Sequence, residues 1–367
     1  ECRSCRKNGT PYMEKAPVPY PPVLHSLASA STITWLIHQK FELSIPLYRQ
    51  EKEWEALGLR LSRATMSNWL LVVYRDWLVH IVHRLKLELL KQRYLHIDET
   101  HVQVLKEPGR KNTSDSYMWV YCSIRDAVNP IRYFEYQPGR SGKYPEAFLK
   151  EYEGYIHTDA YSGYNAVSGV KRCLCYTHLR RAFVDALPKD IHNSEASKAA
   201  EAILRLNQLF NIESELEALP PDQKKKERLI REKPLLEAFW SWAEKSAIGE
   251  LPKSKLSKAF HYALNNREGF WNYLEDGNCS ISNSLAENCI RPFVIGRKNW
   301  LFSGSPKGAE ASAGIYTLVE TAKANGLAPM KYIKYILSDM PGSAFLEHPE
   351  YLDDYLPWNP LVKEFCR

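Results

Sequence analysis

The run Tyr94-Leu-His-Ile97 leads into Asp98, and the run Tyr155-Ile-His-Thr158 leads into Asp159. Both are short, carry aromatic and β-branched residues, and stop at a carboxylate, as strands do when they end at a polar edge. Working outward, Val102 to Leu105 continues extended and Tyr117-Met-Trp-Val-Tyr-Cys-Ser-Ile124 is a strong strand. Asn129-Pro130 marks a turn before a strand at Ile131 to Tyr136. Gly139-Arg-Ser-Gly142 is a loop ahead of a helix near Pro145–Tyr152. Lys171 to Tyr176 forms a fifth strand and runs into a helix from about His178. The order predicts a three-strand meander, then helix, strand and strand: a mixed α/β core over residues 94–184.

On the N-terminal side, residues 23–93 read as helical, with Leu24, Leu27, Ala28, Trp35 and Leu36 at three-to-four-residue spacing. Pro46 opens one helix, Gly58 stops it, and Ser62 caps the next from Arg63. Two short helices across a glycine-containing turn read as a helix-turn-helix. That motif puts Arg63, Thr65, Ser67 and Asn68 where DNA is contacted. An ordinary helical hairpin is the alternative. In residues 1–22, Cys2 and Cys5 precede a proline-rich linker; a closed zinc site takes four ligands, so this is half a site or a chance pair. The chain opens at Glu1 rather than Met, which is expected of an N-terminal truncation.

Beyond the core, residues 185–280 suit amphipathic helices, with Lys224-Lys-Lys226 expected in a solvated loop. Residues 281–340 hold a helix from Leu285 to Arg297, capped by Ser282 or Asn283, and another from Gly308 to Ala324. The tail, 341–367, is expected to pack along the surface.

Composition narrows the function classes. At 44% hydrophobic and 25% charged, the 367 residues exclude a wholly disordered chain and a fibrous repeat. The longest apolar stretch, Trp69 to Tyr74, is far short of the roughly 18–20 residues of a membrane span. Eight cysteines are too dilute for a disulfide scaffold, and a cytoplasmic protein is expected. The net charge is +6, and residues 1–93 carry 14 Lys/Arg against 8 Asp/Glu, the whole excess. A basic segment on a neutral remainder is an electrostatic footprint for a polyanion, and it favours the DNA-binding reading.

The chemistry rests on three acids. Adjacent parallel strands would bring Asp98 and Asp159 side by side, and Glu287 falls in the first turns of a late helix that can pack across the sheet edge. Clustered carboxylates are what Mg²⁺ or Mn²⁺ requires, and two ions ~3.5–4 Å apart can drive phosphodiester transfer. Each acid alone has an ordinary explanation: a strand-end Asp forms turns, and a helix-start Glu offsets the dipole. Their joint placement carries the argument.

His96-Ile-Asp98-Glu-Thr100, His157-Thr-Asp159-Ala-Tyr-Ser-Gly-Tyr164 and Asn283-Ser-Leu-Ala-Glu287-Asn-Cys-Ile-Arg291-Pro292 resemble the three acidic motifs of the insertion-sequence 66 family of DDE transposases. Gly296 to Gly304, Leu318 to Gly326 and Tyr355-Leu-Pro-Trp-Asn359 are similar to further family blocks, so the resemblance covers nearly the whole chain. It implies a ribonuclease-H-like core interrupted by a helical insertion between Asp159 and Glu287, with Asp98, Asp159 and Glu287 as catalytic Mg²⁺ ligands. It also implies DNA as partner, a homo-oligomer on DNA, and element-encoded accessory proteins. Family members carry a complete zinc-ribbon-like module where only Cys2 and Cys5 stand here, and Ala160 replaces the usual glycine.

Cys175-Tyr-Thr-His178 resembles the Cys-x-x-His after the second acid, a candidate support of the active site; a zinc site with Cys173 and a structural Cys beside a phosphate-contacting His are the alternatives. Arg180, Arg181, Arg291, Arg297 and Lys298 suit phosphates, with surface salt bridges as the alternative, and Trp300 suits base stacking. The expected function is metal-dependent DNA cleavage at mobile-element ends with strand transfer. A ribonuclease-H-like nuclease without strand transfer and a catalytically inactive DNA-binding remnant are the rivals.

Overall fold

The computed structural model describes residues 3–9, 13, 19–188 and 197–367; Cys2 and much of the proline-rich run lie outside the described residues. Strand β1 (Tyr94–Val104) is longer than its sequence signal. A strand end was expected at Asp98, yet β1 runs on for six residues beyond it. The cause is β2 (Asp115–Ser123), which pairs antiparallel with β1 from Leu95↔Ser123 to Gln103↔Asp115 and carries the ladder past the carboxylate. β3 (Arg132–Gln137) completes the meander.

The parallel partner stops early. β4 (Gly154–Thr158) pairs with β1 only from Tyr94↔Tyr155 to His96↔His157. Two residues further on, Asp98 and Asp159 stand where the strands part. β5 (Val170–Leu174) adds in parallel to β4, giving the order β3-β2-β1-β4-β5. A two-residue strand, β6 (Phe302–Ser303), joins β1 beyond the fork at Gln103 and Val104.

Helices α1 (Ala30–Ile37), α2 (Leu47–Ala56), α3 (Arg63–Val73) and α4 (Val79–Leu90) lead to the sheet. Gly58, at φ +86°, makes the turn between α2 and α3, a backbone conformation that costs glycine little. Ser62 caps α3, its hydroxyl accepting the Thr65 N–H at 3.1 Å. A π-helical turn, Tyr74–Leu78, joins α3 to α4 without a break. These helices share a core with the sheet: Met66, Leu70, Ile81, Leu85 and Leu89 lie in one buried cluster with Leu95, Ile97 and Val120.

After β3 come α5 (Lys143–Phe148) and, following β5, α6 (Tyr176–Val184). The next stretch is helical as expected, including α7 (Lys198–Glu215), α8 (Lys233–Ala247) and α9 (Lys255–Asn265). Leu206, Leu209, Phe239, Trp240 and Phe260 build a second core there with Leu174, Leu179 and Phe183. Lys224-Lys-Lys226 sits in a helix, Pro221–Glu227, rather than a loop, because Pro220-Pro221 starts one and Lys224 pairs with Glu213 at 3.3 Å.

Next come α10 (Ser284–Trp300), α11 (Pro306–Ala324) and α12 (Pro329–Asp339), and the tail ends in a short helix, Pro360–Cys366. α11 lies along β3. Its Thr317 hydroxyl accepts the Phe134 N–H at 2.8 Å and its Thr321 hydroxyl accepts the Arg132 N–H at 3.0 Å. An edge strand is thereby closed by side chains instead of a sixth ladder. The tail is not a surface wrap: Tyr355, Leu356, Val362 and Cys366 are buried in the main core. Its aromatic and aliphatic residues bury there, and the Tyr332 hydroxyl donates to the Tyr355 carbonyl at 2.7 Å.

Candidate active site

Asp98 occupies the fork between β1 and β4. Its Oδ1 accepts the Glu99 N–H at 3.0 Å. Burial, and then the charges of Glu99, Asp159 and Glu287, push its carboxyl up to about 7. Glu99 points the other way across the pleat. It takes Arg140 Nε at 2.6 Å and the Tyr164 hydroxyl, so its role is structural.

Asp159 is held by its own turn, Oδ1 accepting the Tyr161 N–H at 3.0 Å. Arg140 Nη2 lies 3.8 Å from Asp159 Oδ2, so one guanidinium spans Glu99 and Asp159. That guanidinium rests on the Tyr161 ring, 3.9 Å from its centroid, while the Tyr161 hydroxyl donates to the Arg140 carbonyl at 2.6 Å. The loop carrying Arg140 fits because Gly142 lies against Gly163, where a Cβ would meet the Gly163 carbonyl at 2.4 Å.

Glu287 arrives from the first turn of α10. Of the two expected caps, Ser282 accepts the Ser284 N–H on its hydroxyl at 3.0 Å, whereas Asn283 holds the N-cap position without a side-chain cap; its buried amide donates to the Ile97 carbonyl at 2.7 Å and its Oδ1 meets His96 Nδ1 at 2.9 Å. The contact ties the start of α10 to β1 one residue before Asp98. The Asn283 N–H also donates to Cys175 Sγ at 3.1 Å. Glu287 Oε1 lies 3.7 Å from His178 Nδ1, and Oε2 lies 3.9 Å from Arg181 Nη2. Cys175, His178 and Glu287 bring their donor atoms within 4.8 Å of one another. The hydrogen bond with Cys175 raises the His178 pKa despite burial. Burial opposes the Cys175 thiolate, but the His178 and Asn283 contacts outweigh it and lower its pKa.

The donor set fits a hard divalent cation. Asp98 is near enough to Asp159 and Glu287 for their charges to raise its pKa, no ion pair reaches Asp98 among the described residues, and Glu287 Oε1 is buried without a hydrogen-bond partner. Among the described residues, the three acids are not one of the groups whose donor atoms all lie within 4.8 Å of one another.

The other candidate residues scatter. Arg63, Thr65 and Asn68 are exposed and Ser67 is half-buried at the start of α3; the Thr65 hydroxyl shares a hydrogen bond with Ser62 at 2.9 Å. Arg180 is turned to Asn207 on α7, at 2.7 Å. Arg291 and Lys298 are exposed on α10. Arg297 ties α10 to β1 through the Thr100 hydroxyl, at 3.0 Å, and the His101 carbonyl. Trp300 packs edge-on against Phe293 with ring centroids 5.5 Å apart. Cys5 is a free thiol in a helical turn, Arg3–Lys7. The residues that sequence reading missed are Arg140, Tyr164 and Asn283. Tyr164 and Asn283 stood inside the quoted motifs, but nothing in their spacing gives their partners.

The sequence profile described as Transposase IS66 family matches residues 25–311, which is 287 of the 367 residues and includes all three acids. The chain belongs to the IS66 transposase family. Its similar relatives include three uncharacterized proteins of Sinorhizobium fredii (strain NBRC 101917 / NGR234). The y4hP protein is 25% identical over 97% of this chain and 66% of its own length. The y4qI protein is 28% identical over 91% and 63%, and y4jD is 26% identical over 98% and 70%. The chain thus spans about two thirds of the length of these relatives.

Proposed function

We propose that the chain is a DDE transposase that cleaves DNA at the ends of a mobile element and joins the freed 3′ ends to target DNA. The observation that carries this reading is the fork: Asp98 and Asp159 stand in register just beyond the last β1–β4 pair, with Glu287 brought to them by α10. The strand order, three antiparallel strands followed by two parallel ones, supports a ribonuclease-H-like core. The helices between β5 and α10 correspond to an insertion between the second and third acids.

In this reading Asp98 and Asp159 would share two Mg²⁺ or Mn²⁺ ions, and Glu287 would help to hold one of them. Bound there, the ions supply Lewis acidity that activates water or a 3′-hydroxyl and offsets charge on the leaving oxygen. The protein's own groups do the positioning. Arg140 holds Asp159 beside Glu99, and Asn283 fixes the start of α10 against β1. His178 and Arg181 flank Glu287 on the side a phosphate would approach. Arg63, Thr65, Ser67 and Asn68 at the start of α3 are proposed to contact DNA as a helix-turn-helix. Cys2 and Cys5 stay with the proposal as half of a zinc site. Assembly on DNA as a homo-oligomer with element-encoded accessory proteins completes it.

The test is nicking and 3′-end joining of a labelled terminal-repeat duplex with Mg²⁺. Asp98→Asn, Asp159→Asn and Glu287→Gln should each lower cleavage by orders of magnitude while DNA binding persists, and combining them should add little. Cleavage that persists in Asp98→Asn overturns the assignment; cutting without joining favours a nuclease.

A further inference from the structure

His157 at the end of β4, Cys173 on β5 and Cys279 in the loop before α10 meet beneath the sheet. All three are buried, and one donor atom from each lies within 4.8 Å of the other two. The residues come from three separate segments and share no motif, so spacing along the chain gives no hint of them. The active-site acids play no part in the cluster, and neither do Cys175 and His178.

We propose that His157, Cys173 and Cys279 form a binding site for one zinc ion, which clasps the loop before α10 to β4 and β5. Two thiolates and an imidazole are a soft to borderline donor set, which selects zinc over the magnesium suited to the carboxylates nearby. With two negative sulfurs and a neutral ring, the bound ion is charge-neutral, as a buried site demands. Three protein donors leave the fourth position to one water molecule.

The surroundings are those of a metal-binding histidine. His157 Nδ1 faces the Leu95 carbonyl at 3.2 Å, which keeps the proton on Nδ1 and turns the Nε2 lone pair inward. His96 stacks on the ring with centroids 4.2 Å apart and is itself pinned by Asn283. The Ser280 N–H points at Nε2 from 2.9 Å, so binding of the ion requires that amide to shift. The clasp would act on the loop that ends at Asn283 and sets where α10 begins. It stands apart from the transposase reading and can fail without it.

The test uses the reduced full chain carrying Cys5→Ser, which removes the N-terminal pair from consideration. Co²⁺ should give thiolate-to-metal absorption and strong tetrahedral bands at one ion per chain, displaced by one equivalent of Zn²⁺. Cys175→Ser should keep the bands; Cys173→Ser and Cys279→Ser should lose them. Because a buried serine can impair folding, zinc-edge X-ray absorption on the Cys5→Ser chain gives a second readout: two sulfurs at about 2.3 Å and one nitrogen at about 2.0–2.1 Å. A spectrum of oxygen and nitrogen scatterers, or bands that survive in Cys173→Ser, overturns the proposal. So does a chain that is lighter by two hydrogens without reductant and carries a Cys173–Cys279 disulfide in place of metal.

Discussion

Asp98 keeps its proton to about pH 7 because burial, and then neighbouring carboxylates, penalise its charge. In an unfolded chain the same side chain titrates near ~3.9. A folded pKa raised above the unfolded one means that stability is fully present below about pH 4 and is lost as pH rises through about 7. The loss is on the order of a few kcal/mol. Asp98→Asn removes that charge at little cost in shape. In thermal melts without divalent ions, the Asn variant should melt above wild type at pH 8, and the gap should shrink toward pH 4. Adding Mg²⁺ at pH 8 should raise the wild-type melting temperature and move the variant much less. A wild type indifferent to Mg²⁺ would sink the cation reading of the fork. At this scale the acids were legible, since each sits inside an ordered motif. Arg140 was not, because its contact with Glu99 and Asp159 exists only once a loop 41 residues beyond Glu99 folds back. Ser282 or Asn283 was expected to cap α10; the Ser282 hydroxyl takes the Ser284 N–H, while the packing of α10 on β1 redirects the Asn283 amide to Ile97.

At the level of elements, the contact between α11 and β3 shows how an edge is closed. The Thr317 and Thr321 hydroxyls take the Phe134 and Arg132 N–H groups, which no neighbouring strand reaches. Thr317→Val keeps the volume but leaves a buried N–H without a partner, so it should cost about 1–3 kcal/mol in denaturant unfolding. Thr317→Ser keeps the hydroxyl and should recover most of that. Equal losses in both variants would mean that packing, not the hydrogen bond, holds the helix there. β1 teaches the same lesson in reverse. Its central Asp98-Glu-Thr-His101 looks like a break by propensity, yet a full antiparallel ladder with β2 overrides it. The succession of strands along the chain was legible from their aromatic and β-branched runs and the turns between them. The length of β1 was not, because its pairing with β2 is a long-range fact.

For the whole molecule, the basic excess of residues 1–93 has to be weighed against how that segment packs. Its helices supply Met66, Leu70, Ile81 and Leu85 to the core that also holds Leu95 and Ile97, so deleting the segment would strip the sheet instead of isolating a DNA-binding function. Around the turn between α2 and α3 the charges nearly balance: Arg49, Lys52, Arg60 and Arg63 stand against Glu51, Glu53 and Glu55. Contact with DNA there would therefore depend on particular side chains meeting phosphates and not on a broad field. Arg60 and Arg63 are both exposed beside the proposed helix-turn-helix. Each phosphate contact releases counterions worth a slope of about 0.9 in log Kobs against log salt. Arg60→Gln with Arg63→Gln, in the full chain, should flatten that slope by roughly 2 between about 50 and 200 mM salt. Melting temperature and its response to Mg²⁺ should stay at wild-type values, because neither side chain touches the fork. A slope that does not change, with folding intact, would mean that α3 faces water and that DNA is held elsewhere on the chain.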